Sequence, residues 1–548
     1  MLAARGIVST MAVAARNENV RRVELAWGAA IAAEWAHLVA LGVFAYQGGG
    51  AAAVGIAGLV RLLPAAIVAP AAASLGDRFR RDRVLLVVTG LGSFALAASA
   101  AAAFAGERVL VYVFAAVVGL SSTLIRPTLQ ALLPSLARTP EELIAANGTT
   151  STIESIGTLA GPLIAGVLVA AASAGAVFAA GAGVVLAGTL LLTRVRVEGV
   201  QRPVQRPAEA APAAGPLRTF AAGFEAIADV PGARLVGGLM VAQTFVRGCL
   251  NVLIVVAAYR VLHAGAGAVG YMTAAIGVGG LLGALGAMTL RGHKLAGAFA
   301  VSLVCWGAPI ALIAPGRYLV VALVLLAVVG AANSVEDVAG FTLLQRTVPD
   351  HALSRVLGIV WGTAMGGVAL GSFAAPGLVR AVGPRAAFLV VGSILPLVTL
   401  ATFRRIKGLD RTTVPAAQLE LIERVPMFAP LSLAAKERIA GKLIPVPVAA
   451  GECVIRAGEV GDRFYIVGDG EFDIDVAGRH TSAQETDYFG EIGLLRDIPR
   501  TATVTATVDA HLFALQRDDF LAAVTGHSAA HAAGEAVVDA RLGGAPAG

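Results

Sequence analysis

The sequence is poor in charged residues and in cysteine. Only 14% of its 548 residues are Asp, Glu, Lys or Arg, whereas 57% are hydrophobic, and the mean hydropathy is +0.78. This balance excludes an ordinary soluble globular protein. The three cysteines, Cys249, Cys305 and Cys453, lie far apart without a Cys-x-x-Cys pair. We therefore predict neither a disulfide framework nor a metal site.

Signatures of enzymes and channels are also missing. The chain has no Gly-x-Ser-x-Gly, His-Glu-x-x-His or Walker A sequence, which argues against an enzyme and against an ATP-driven pump. It has no Thr-Val-Gly-Tyr-Gly filter and no span with regularly spaced arginines, which argues against a gated channel. Residues 1–22 contain four arginines and no apolar core, so no cleavable signal peptide is predicted. No covalently bound cofactor is expected.

The charges that are present divide the chain near residue 405. Residues 1–405 carry 29 Lys/Arg and 16 Asp/Glu, whereas residues 406–548 carry 13 and 20. The excess of positive charge therefore lies where hydrophobic runs are long, which argues against a nucleic-acid partner. The acidic tail has the composition of a soluble domain.

Long uncharged stretches in residues 1–405 match the length that a helix needs to cross a lipid bilayer. We predict twelve spans, at 25–47, 51–75, 84–106, 108–132, 145–170, 175–193, 233–258, 267–290, 295–314, 318–345, 353–379 and 384–403. Cytoplasmic loops are enriched in Lys and Arg. If the N-terminus lies in the cytoplasm, 21 of the Lys and Arg residues of 1–405 fall on the cytoplasmic side and 5 on the opposite side. We expect a multi-pass protein of the plasma membrane with both termini in the cytoplasm.

Two short motifs recur at an offset of about 215 residues. Gln130–Pro134 is matched by Gln345–Pro349, and Gly161-Pro162 by Ala375-Pro376. Two related six-helix halves are the architecture of transporters that rock around a central site. The predicted regions are a cytoplasmic segment 1–22, the halves 23–193 and 233–405, linkers 194–232 and 406–418, and a C-terminal domain 419–542.

Residues 20–405 resemble the major facilitator superfamily, in particular its twelve-helix drug and siderophore exporters. The loop that contains Gly76, Asp77 and Arg78 is similar to the superfamily's signature between helices two and three, although Ala73 and Arg80 replace two glycines of that signature. Asp77, near a helix end, is placed to pair with neighbouring arginines and hold one conformation of the halves. The alternative is a basic cytoplasmic loop that serves topology alone.

A second resemblance lies in the fifth predicted span. Its small residues and proline match the superfamily's antiporter signature, with Ala165 in place of one glycine. The matching residues are Gly148, Gly157, Gly161, Pro162 and Gly166. Small residues allow helices to approach closely, and Pro162 is expected to kink the span.

Ionisable residues within the predicted spans are candidates for substrate binding or proton coupling, because a charge at membrane depth is costly unless it has a partner or lines a cavity. Glu34 and His37 lie one turn apart and are placed to share a proton. The other candidates are Arg126, Glu154, Arg247 and Asp337, with Glu336 beside Asp337. A structural ion pair is the alternative role for each carboxylate.

The tail changes to short β-rich runs separated by glycine turns, including Phe464–Val467, Phe472–Val476 and Ala502–Ala506. This series predicts a small barrel or jelly roll. Amphipathic helices are predicted at Leu419–Arg424, Ser432–Leu443, Asp518–Val524 and Ala529–Leu542. The predicted fold is therefore an α-helical membrane protein of two six-helix pseudo-repeats, followed by a cytoplasmic β-roll with flanking helices.

Residues 489–504 resemble the phosphate-binding cassette of cyclic nucleotide-binding domains, and the likeness extends over residues 419–525. The resemblance implies that Arg500 binds the cyclic phosphate and that Glu491 binds a ribose hydroxyl. It gives supporting contacts to the backbone near Gly490, Ile492 and Ala502, and Thr501 is placed to hydrogen-bond a guanine. Either cAMP or cGMP is the expected ligand. The last helix is expected to cover the base.

These features predict a secondary transporter, a proton-coupled exporter of a small molecule, regulated by cyclic nucleotide. The expected partners are a small-molecule substrate, a cyclic nucleotide and the lipid bilayer, with no nucleic acid. The alternative is a membrane sensor that binds cyclic nucleotide without transporting. A transcription factor is disfavoured, since about 25 residues follow the β-roll.

Overall fold

The structure is a computed structural model that describes residues 17–78, 80–136, 139–195, 231–287, 295–348, 350–409, 416–431, 433–525 and 528–542. The described residues up to Ile406 form one compact unit, here called the transmembrane unit. Those from Lys407 onward form the C-terminal unit.

The transmembrane unit is helical, as its hydrophobic stretches predict. Eleven of the helices among the described residues are long and apolar enough to cross a membrane. They are α1 (Glu18–Arg78), α2 (Arg81–Phe104), α3 (Arg108–Leu136), α4 (Pro140–Ala171), α5 (Ala174–Leu192), α6 (Pro231–Val256), α7 (Ala266–Ala287), α8 (Leu295–Ile313), α9 (Leu319–Thr347), α10 (Asp350–Val382) and α11 (Pro384–Leu409). A π-helical turn, Ala257–Val261, follows α6.

The first helix contains the first two predicted spans. Its helical backbone is interrupted at Gly49 and Gly50, between the predicted ends at 47 and 51. Gly50 has a φ of 64°, in the left-handed region that favours glycine. The helical architecture is confirmed, while the count of twelve spans stays a prediction.

Helices α4 and α5 each begin with a capping side chain. The predicted break near Ala171–Gly175 lies between α4 and α5, where the hydroxyl of Ser173 accepts a hydrogen bond of 3.3 Å from the backbone N–H of Ala176. The hydroxyl of Thr139 accepts one of 3.1 Å from Glu142 at the start of α4. Both are N-caps, which satisfy backbone donors that the first turn leaves free.

Two helix crossings use residues that are related by the offset of about 215 residues: Gly55 corresponds to Gly270, and Pro162 corresponds to Pro376. A Cβ atom added to Gly55 of α1 would lie 2.6 Å from Cγ of Pro376 on α10. A Cβ atom added to Gly270 of α7 would lie 2.4 Å from the carbonyl oxygen of Pro162 on α4. Each crossing joins the N-terminal half to the C-terminal half, and each needs glycine for the close approach.

The C-terminal unit contains two antiparallel four-stranded sheets with orders β1-β8-β3-β6 and β2-β7-β4-β5. The strands are β1 (Ile444–Val448), β2 (Cys453–Ile455), β3 (Arg463–Asp469), β4 (Phe472–Val476), β5 (Arg479–Ala483), β6 (Tyr488–Phe489), β7 (Thr503–Ala506) and β8 (Ala510–Gln516). The helices are α12 (Ala416–Arg424), α13 (Leu433–Ala440), α14 (Glu491–Leu495), α15 (Arg517–Thr525) and α16 (Ser528–Leu542). This confirms the predicted β-roll with flanking helices.

Two hydrophobic clusters stabilise the C-terminal unit. One fills the space between the sheets and includes Phe472 and Phe489. The other packs helices on the outside of the roll, where Phe464 stacks on Phe520 with ring centroids 4.7 Å apart. Phe428, which follows α12, contacts both rings edge-on. Helix α15 and the segment after α12 are therefore fixed to the roll by buried aromatic contacts.

Three strands lie outside the predicted runs. Strand β1 contains Pro445 and Pro447, which an edge strand tolerates because one side of its backbone needs no ladder partner. Strand β5 is exposed over its first four residues and has no hydrophobic alternation. Strand β6 has only two residues. Hydrophobic pattern therefore could not reveal β5 or β6.

Candidate functional sites: a nucleotide cassette and intramembrane charges

The cassette begins where β6 ends. Gly490 has a φ of 93° and turns the chain from β6 into α14. A Cβ atom at this position would lie 2.7 Å from Nη1 of Arg500, and one at Gly461 would lie 2.8 Å from the same guanidinium. Glycine is needed at both places, because the backbone comes so close to the arginine side chain.

Arg500 is held by neutral groups. Its Nη1 donates to the carbonyl oxygen of Gly490 at 2.8 Å and its Nη2 to that of Arg463 at 2.6 Å. The residue is 7% exposed, and burial lowers its pKa from the ordinary value of 12.5. Because arginine remains protonated in proteins, the site holds a buried positive charge. That charge has no carboxylate within ion-pair distance among the described residues.

Glu491 is buried beside this charge and is 1% exposed. Its Oε1 accepts a hydrogen bond of 2.7 Å from Nη1 of Arg541 on α16. Its Oε2 has no hydrogen-bond partner among the described residues. Burial raises the pKa of Glu491, and the charge of Arg541 opposes that rise. The unpartnered oxygen is an acceptor of the kind that a ribose hydroxyl would satisfy.

The last helix is fastened to the cassette by ion pairs. Arg541 also lies 4.5 Å from the ring centroid of Tyr488, a cation–π contact. Arg496, which follows α14, reaches Glu535 at 3.0 Å and Asp539 at 2.7 Å on α16. The expected cover over the base is thus in contact with the cassette through charged side chains.

The remaining cassette residues lie around Arg500. Ile492 is half-buried in α14, Thr501 is exposed, and Ala502 is half-buried just before β7. The backbone N–H of Arg500 donates to the carbonyl of Glu459, and its carbonyl accepts from Gly458, at 2.8 and 2.9 Å. These two bonds fix the backbone from which the guanidinium extends.

In the transmembrane unit, three of the predicted ionisable residues and Arg61 form two ion pairs. Nη2 of Arg61 lies 2.9 Å from Oε1 of Glu34, and Nη1 of Arg126 lies 3.0 Å from Oε1 of Glu154. The predicted role of Arg126 as a counter-ion thus has a defined partner. Glu34 is paired with arginine rather than with His37.

His37 makes no hydrogen bond to either of these ion pairs. It is 1% exposed, and neither ring nitrogen has a hydrogen-bond partner among the described residues. Its ring packs 5.1 Å from that of Phe178. The expectation that Glu34 and His37 share a proton is therefore wrong for this conformation, because the Glu34 carboxylate is turned to Arg61.

Asp337 belongs to a polar cluster of the C-terminal half. Its Oδ2 accepts a hydrogen bond of 2.9 Å from Nδ2 of Asn333. Oδ1 of Asn333 accepts from Gln243 and from the indole of Trp306, both at 3.2 Å. Arg247 interacts electrostatically with Asp337 and Glu336, without an ion pair to a described residue.

The antiporter-like residues lie at helix contacts. A Cβ atom on Gly157 would be 2.4 Å from Ile31, and one on Gly161 would be 2.5 Å from the carbonyl oxygen of Ala32, both on α1. One on Gly166 would be 2.9 Å from the carbonyl oxygen of Gly267 on α7. Gly148 is exposed in α4, and Pro162 lies inside this helix, which runs unbroken from Pro140 to Ala171.

The loop signature lies only partly within the described residues. Gly76, Asp77 and Arg78 are the last residues of α1, and their side chains are outside the described part of the chain. Beyond them, Arg81 donates 2.8 Å to the carbonyl of Ala131 on α3. The predicted pairing of Asp77 stays a prediction.

Arg61 and Arg541 are site residues that the sequence did not single out. Arg61 carried a signal, since it is an arginine inside a predicted span. Arg541 is the one Lys or Arg in the Ala-rich segment 528–542, so that its charge was visible but its partner was not. Gln243, Asn333 and Trp306 gave no signal, because uncharged polar residues are common in helices that pack together.

The sequence model of the Major Facilitator Superfamily matches residues 25–359, and that of the cyclic nucleotide-binding domain matches residues 445–527. The crystal structure of a mutant of the nucleoside transporter NupG covers 70% of this chain and 99% of its own, with 12% identity and a TM-score of 0.58. At this identity the likeness concerns the fold alone.

Curated relatives match the tail. The cAMP-dependent protein kinase regulatory subunit of Yarrowia lipolytica is 36% identical over 143 residues, which cover 25% of this chain and 38% of that protein. Its counterpart in Blastocladiella emersonii is 39% identical over 132 residues, 22% of this chain and 32% of that protein. The chain thus spans about a third of the length of these relatives. With the superfamily match extending over more than half of its length, the chain belongs to the Major Facilitator Superfamily and carries a C-terminal cyclic nucleotide-binding domain.

Proposed function

We propose that this chain is a proton-coupled exporter of a small molecule whose activity is regulated by cAMP or cGMP bound to residues 419–542. The membership in a transporter superfamily and the nucleotide-binding domain support the broad assignment. The observation that carries the regulatory part is the buried guanidinium of Arg500, held by backbone carbonyls beside a carboxylate with an unpartnered oxygen.

The chemistry of the cassette fits a cyclic nucleotide. Two N–H donors of Arg500 are used by carbonyls, and the others remain for the cyclic phosphate, whose charge the guanidinium balances. A ribose hydroxyl donates to the unpartnered Oε2 of Glu491, so that the same carboxylate serves the ribose through Oε2 and Arg541 through Oε1. Binding of the nucleotide therefore changes the interaction between Glu491 and Arg541 of α16. We assign the transmission of the signal to this helix.

The ion pairs of the transmembrane unit support proton coupling. A carboxylate paired with arginine in a cavity can release its partner when it is protonated, which is one way to couple protons to a conformational change. Glu34–Arg61 and Glu154–Arg126 are carboxylate–arginine pairs within predicted spans. We place the protein in the plasma membrane with both termini in the cytoplasm. The excess of basic residues in the loops of the cytoplasmic side supports this orientation.

A non-transporting sensor is the second candidate. It is favoured by the same nucleotide site, because a domain that binds a messenger does not require transport. The two proposals differ in one observable property, the movement of protons when a substrate is added.

Transport assays in proteoliposomes test both. The full chain is reconstituted with a pH-sensitive dye inside, amphiphilic compounds are added, and proton flux is recorded with and without saturating cAMP or cGMP on the side of the C-terminal domain. We expect substrate-dependent flux that changes at least about twofold with nucleotide, and no nucleotide effect in Arg500→Ala. Equal rates with and without nucleotide contradict the regulation, and an absence of substrate-dependent flux with any compound favours the sensor.

A further inference from the structure

The C-terminal half of the transmembrane unit contains an acidic pair that a single arginine balances only in part. Glu336 and Asp337 are consecutive on α9. Glu336 is 1% exposed, and its Oε1 has no hydrogen-bond partner among the described residues. Asp337 accepts one hydrogen bond, from Asn333. A buried carboxylate without a partner is costly in a membrane and indicates a ligand or a proton.

Two ion pairs of the N-terminal half show the contrast. Glu34 and Glu154 each have an arginine within 3.0 Å, so this cluster of two acids and two bases is neutral. In the C-terminal half, two carboxylates share the field of Arg247 alone. With both carboxylates ionised, this group carries one negative charge in excess.

Asp337 faces the interior of the unit and not the lipid. Exposed valines at positions 324, 328 and 338 form the outer stripe of α9. At about 100° per residue, Val324 and Val328 lie on the side opposite Asp337. Asn333, one turn before Asp337, contacts Gln243 of α6 and Trp306 of α8. The exposure of Asp337 is therefore toward the space beside α6.

The orientation of Asn333 is fixed by its neighbours. The indole of Trp306 can only donate, so the oxygen of Asn333 points to Trp306 and its amide nitrogen to Asp337. This arrangement holds Oδ2 of Asp337 in place and leaves Oδ1 without a hydrogen bond from the described residues. The acid is thus positioned as an acceptor on a rigid support.

We propose that Glu336 and Asp337 bind the positively charged group of an organic cation, and that a proton competes for the same carboxylates. The inference names the substrate class of the transporter proposed above and rests on that proposal. A cation or a proton each removes the excess charge, so that one replaces the other during a cycle of exchange. A delocalised or ammonium charge is the part of such a substrate that the two carboxylates recognise, and the indole of Trp306 lies beside Asn333 in the same cluster.

The charged groups around the pair are few. Helix α9 packs against α6, α7 and α8. Arg247 is the charged residue of α6 that acts on both acids. The described ranges of α7 and α8 contain no Asp, Glu, His, Lys or Arg. Competition between cation and proton at this site is therefore governed by three groups.

Equilibrium binding to the purified full chain in detergent tests the inference. The probe is radiolabelled tetraphenylphosphonium, and tetraphenylborate, an anion of the same shape, is the matched control ligand. We expect the cation to bind and the anion not to bind at the same concentration. Asp337→Asn and Glu336→Gln should each weaken cation binding about tenfold, the loss expected when one unit charge is removed at short range.

Two further variants keep the result independent of folding. Arg247→Gln removes the opposing cation and should strengthen tetraphenylphosphonium binding several-fold, which a misfolded protein cannot do. Glu107→Gln makes the same change of charge at an exposed turn and should leave binding unchanged. Lowering the pH from about 8 to about 6 should weaken cation binding in the unmodified chain and less so in either acid variant.

Three results would overturn the inference: no tetraphenylphosphonium binding, equal binding of the borate anion, or unchanged affinity in both acid variants. The assay uses no gradient and no nucleotide. A chain that binds the cation but moves no protons contradicts the proposed function alone, whereas substrate-driven proton flux without cation binding contradicts this inference alone.

Discussion

The two units of this protein treat a buried arginine in opposite ways. Arg500 of the C-terminal unit and Arg61 of the transmembrane unit are both 7% exposed. Arg500 donates to two neutral carbonyls, whereas Arg61 donates to the carboxylate of Glu34. The first keeps its charge available to an external anion, and the second is neutralised within the protein.

The difference follows from the surroundings of each site. The cassette lies in a domain outside the predicted spans, so a dissolved ligand can supply the counter-charge when it binds. A charge within the bilayer is not reached by counter-ions from water. The protein must therefore provide a partner of opposite charge, or the charge is neutralised by a proton or a substrate. An arginine with carbonyl partners therefore indicates a binding site, and one with a carboxylate partner indicates a structural or switching pair.

The largest effect is expected at Arg500. Arg500→Ala removes the charge and its hydrogen bonds, each worth about 2 kcal/mol when a charged partner is involved, and should weaken cyclic nucleotide binding at least about 100-fold. Calorimetry on the full chain measures this loss. Arg479→Ala, on exposed strand β5, is the control and should bind normally. Normal affinity in Arg500→Ala would remove the contrast between the two arginines.

Breaking the pair at Glu34 should destabilise the transmembrane unit. Glu34→Gln leaves the buried Arg61 without the charge of its carboxylate partner, at a cost of about 3 kcal/mol. The double variant Glu34→Gln with Arg61→Gln should recover most of this loss, because no isolated charge remains. Thermal unfolding followed by tryptophan fluorescence measures it, since all four tryptophans precede residue 405. A double variant no more stable than the single one would show that the pair is not the cause.

A smaller effect is expected when the Arg541 charge is removed. Burial raises the pKa of Glu491 above 4.5, and Arg541 limits the rise. Stability linked to this group is present below pH 4.5 and is lost as the pH rises through the folded-state pKa. Arg541→Gln should move that pKa upward, so that the domain loses about 1 kcal/mol more at pH 7.

Hydrogen exchange of residues 488–495 at several pH values measures the change. Exchange should become faster in Arg541→Gln near neutral pH and be equal to that of the unmodified chain near pH 4. Arg541→Lys keeps the charge and is the matched control. Equal exchange at pH 7 in all three proteins would show that Arg541 does not stabilise the Glu491 carboxylate.

The smallest effect concerns an exposed pair. Asp473 lies 2.8 Å from Nδ1 of His480 and raises the pKa of that histidine above 6.5. Asp473→Asn should lower this pKa toward its ordinary value in an NMR titration. Asp475→Asn should lower it less, because Asp475 acts through its charge without a hydrogen bond to the ring. An exposed pair is expected to shift a titration without deciding the fold.

Much of the fold could be predicted because hydrophobic patterns differ between helices that face lipid and strands that pack in a domain surrounded by water. Uncharged stretches gave the helices, and the predicted gap at residues 48–50 is where Gly49 and Gly50 interrupt α1. Strand β5 was missed because its residues are mostly exposed. Its position depends on the pairing with β4, which is a property of the tertiary structure.

The sites were predictable in part. The residue types around Arg500 identify the cassette, because a cyclic phosphate and a ribose need the same donors and acceptors wherever they bind. The pairing of charges was not predictable: Glu34 and His37 are neighbours along the helix, yet the carboxylate contacts Arg61, 27 positions away. Likewise Arg541 reaches Glu491 only through the packing of α16.

The crossings of Gly55 with Pro376 and of Gly270 with Pro162 also make the boundary between the halves intolerant of bulk. Each is a close contact, and the approaches of Gly58 to Ser372 and of Gly277 to Leu159 continue the same two helix pairs. A larger side chain at Gly55 or Gly270 would therefore force the two helices of its crossing apart, and a variant of this kind would act as a spacer between the halves.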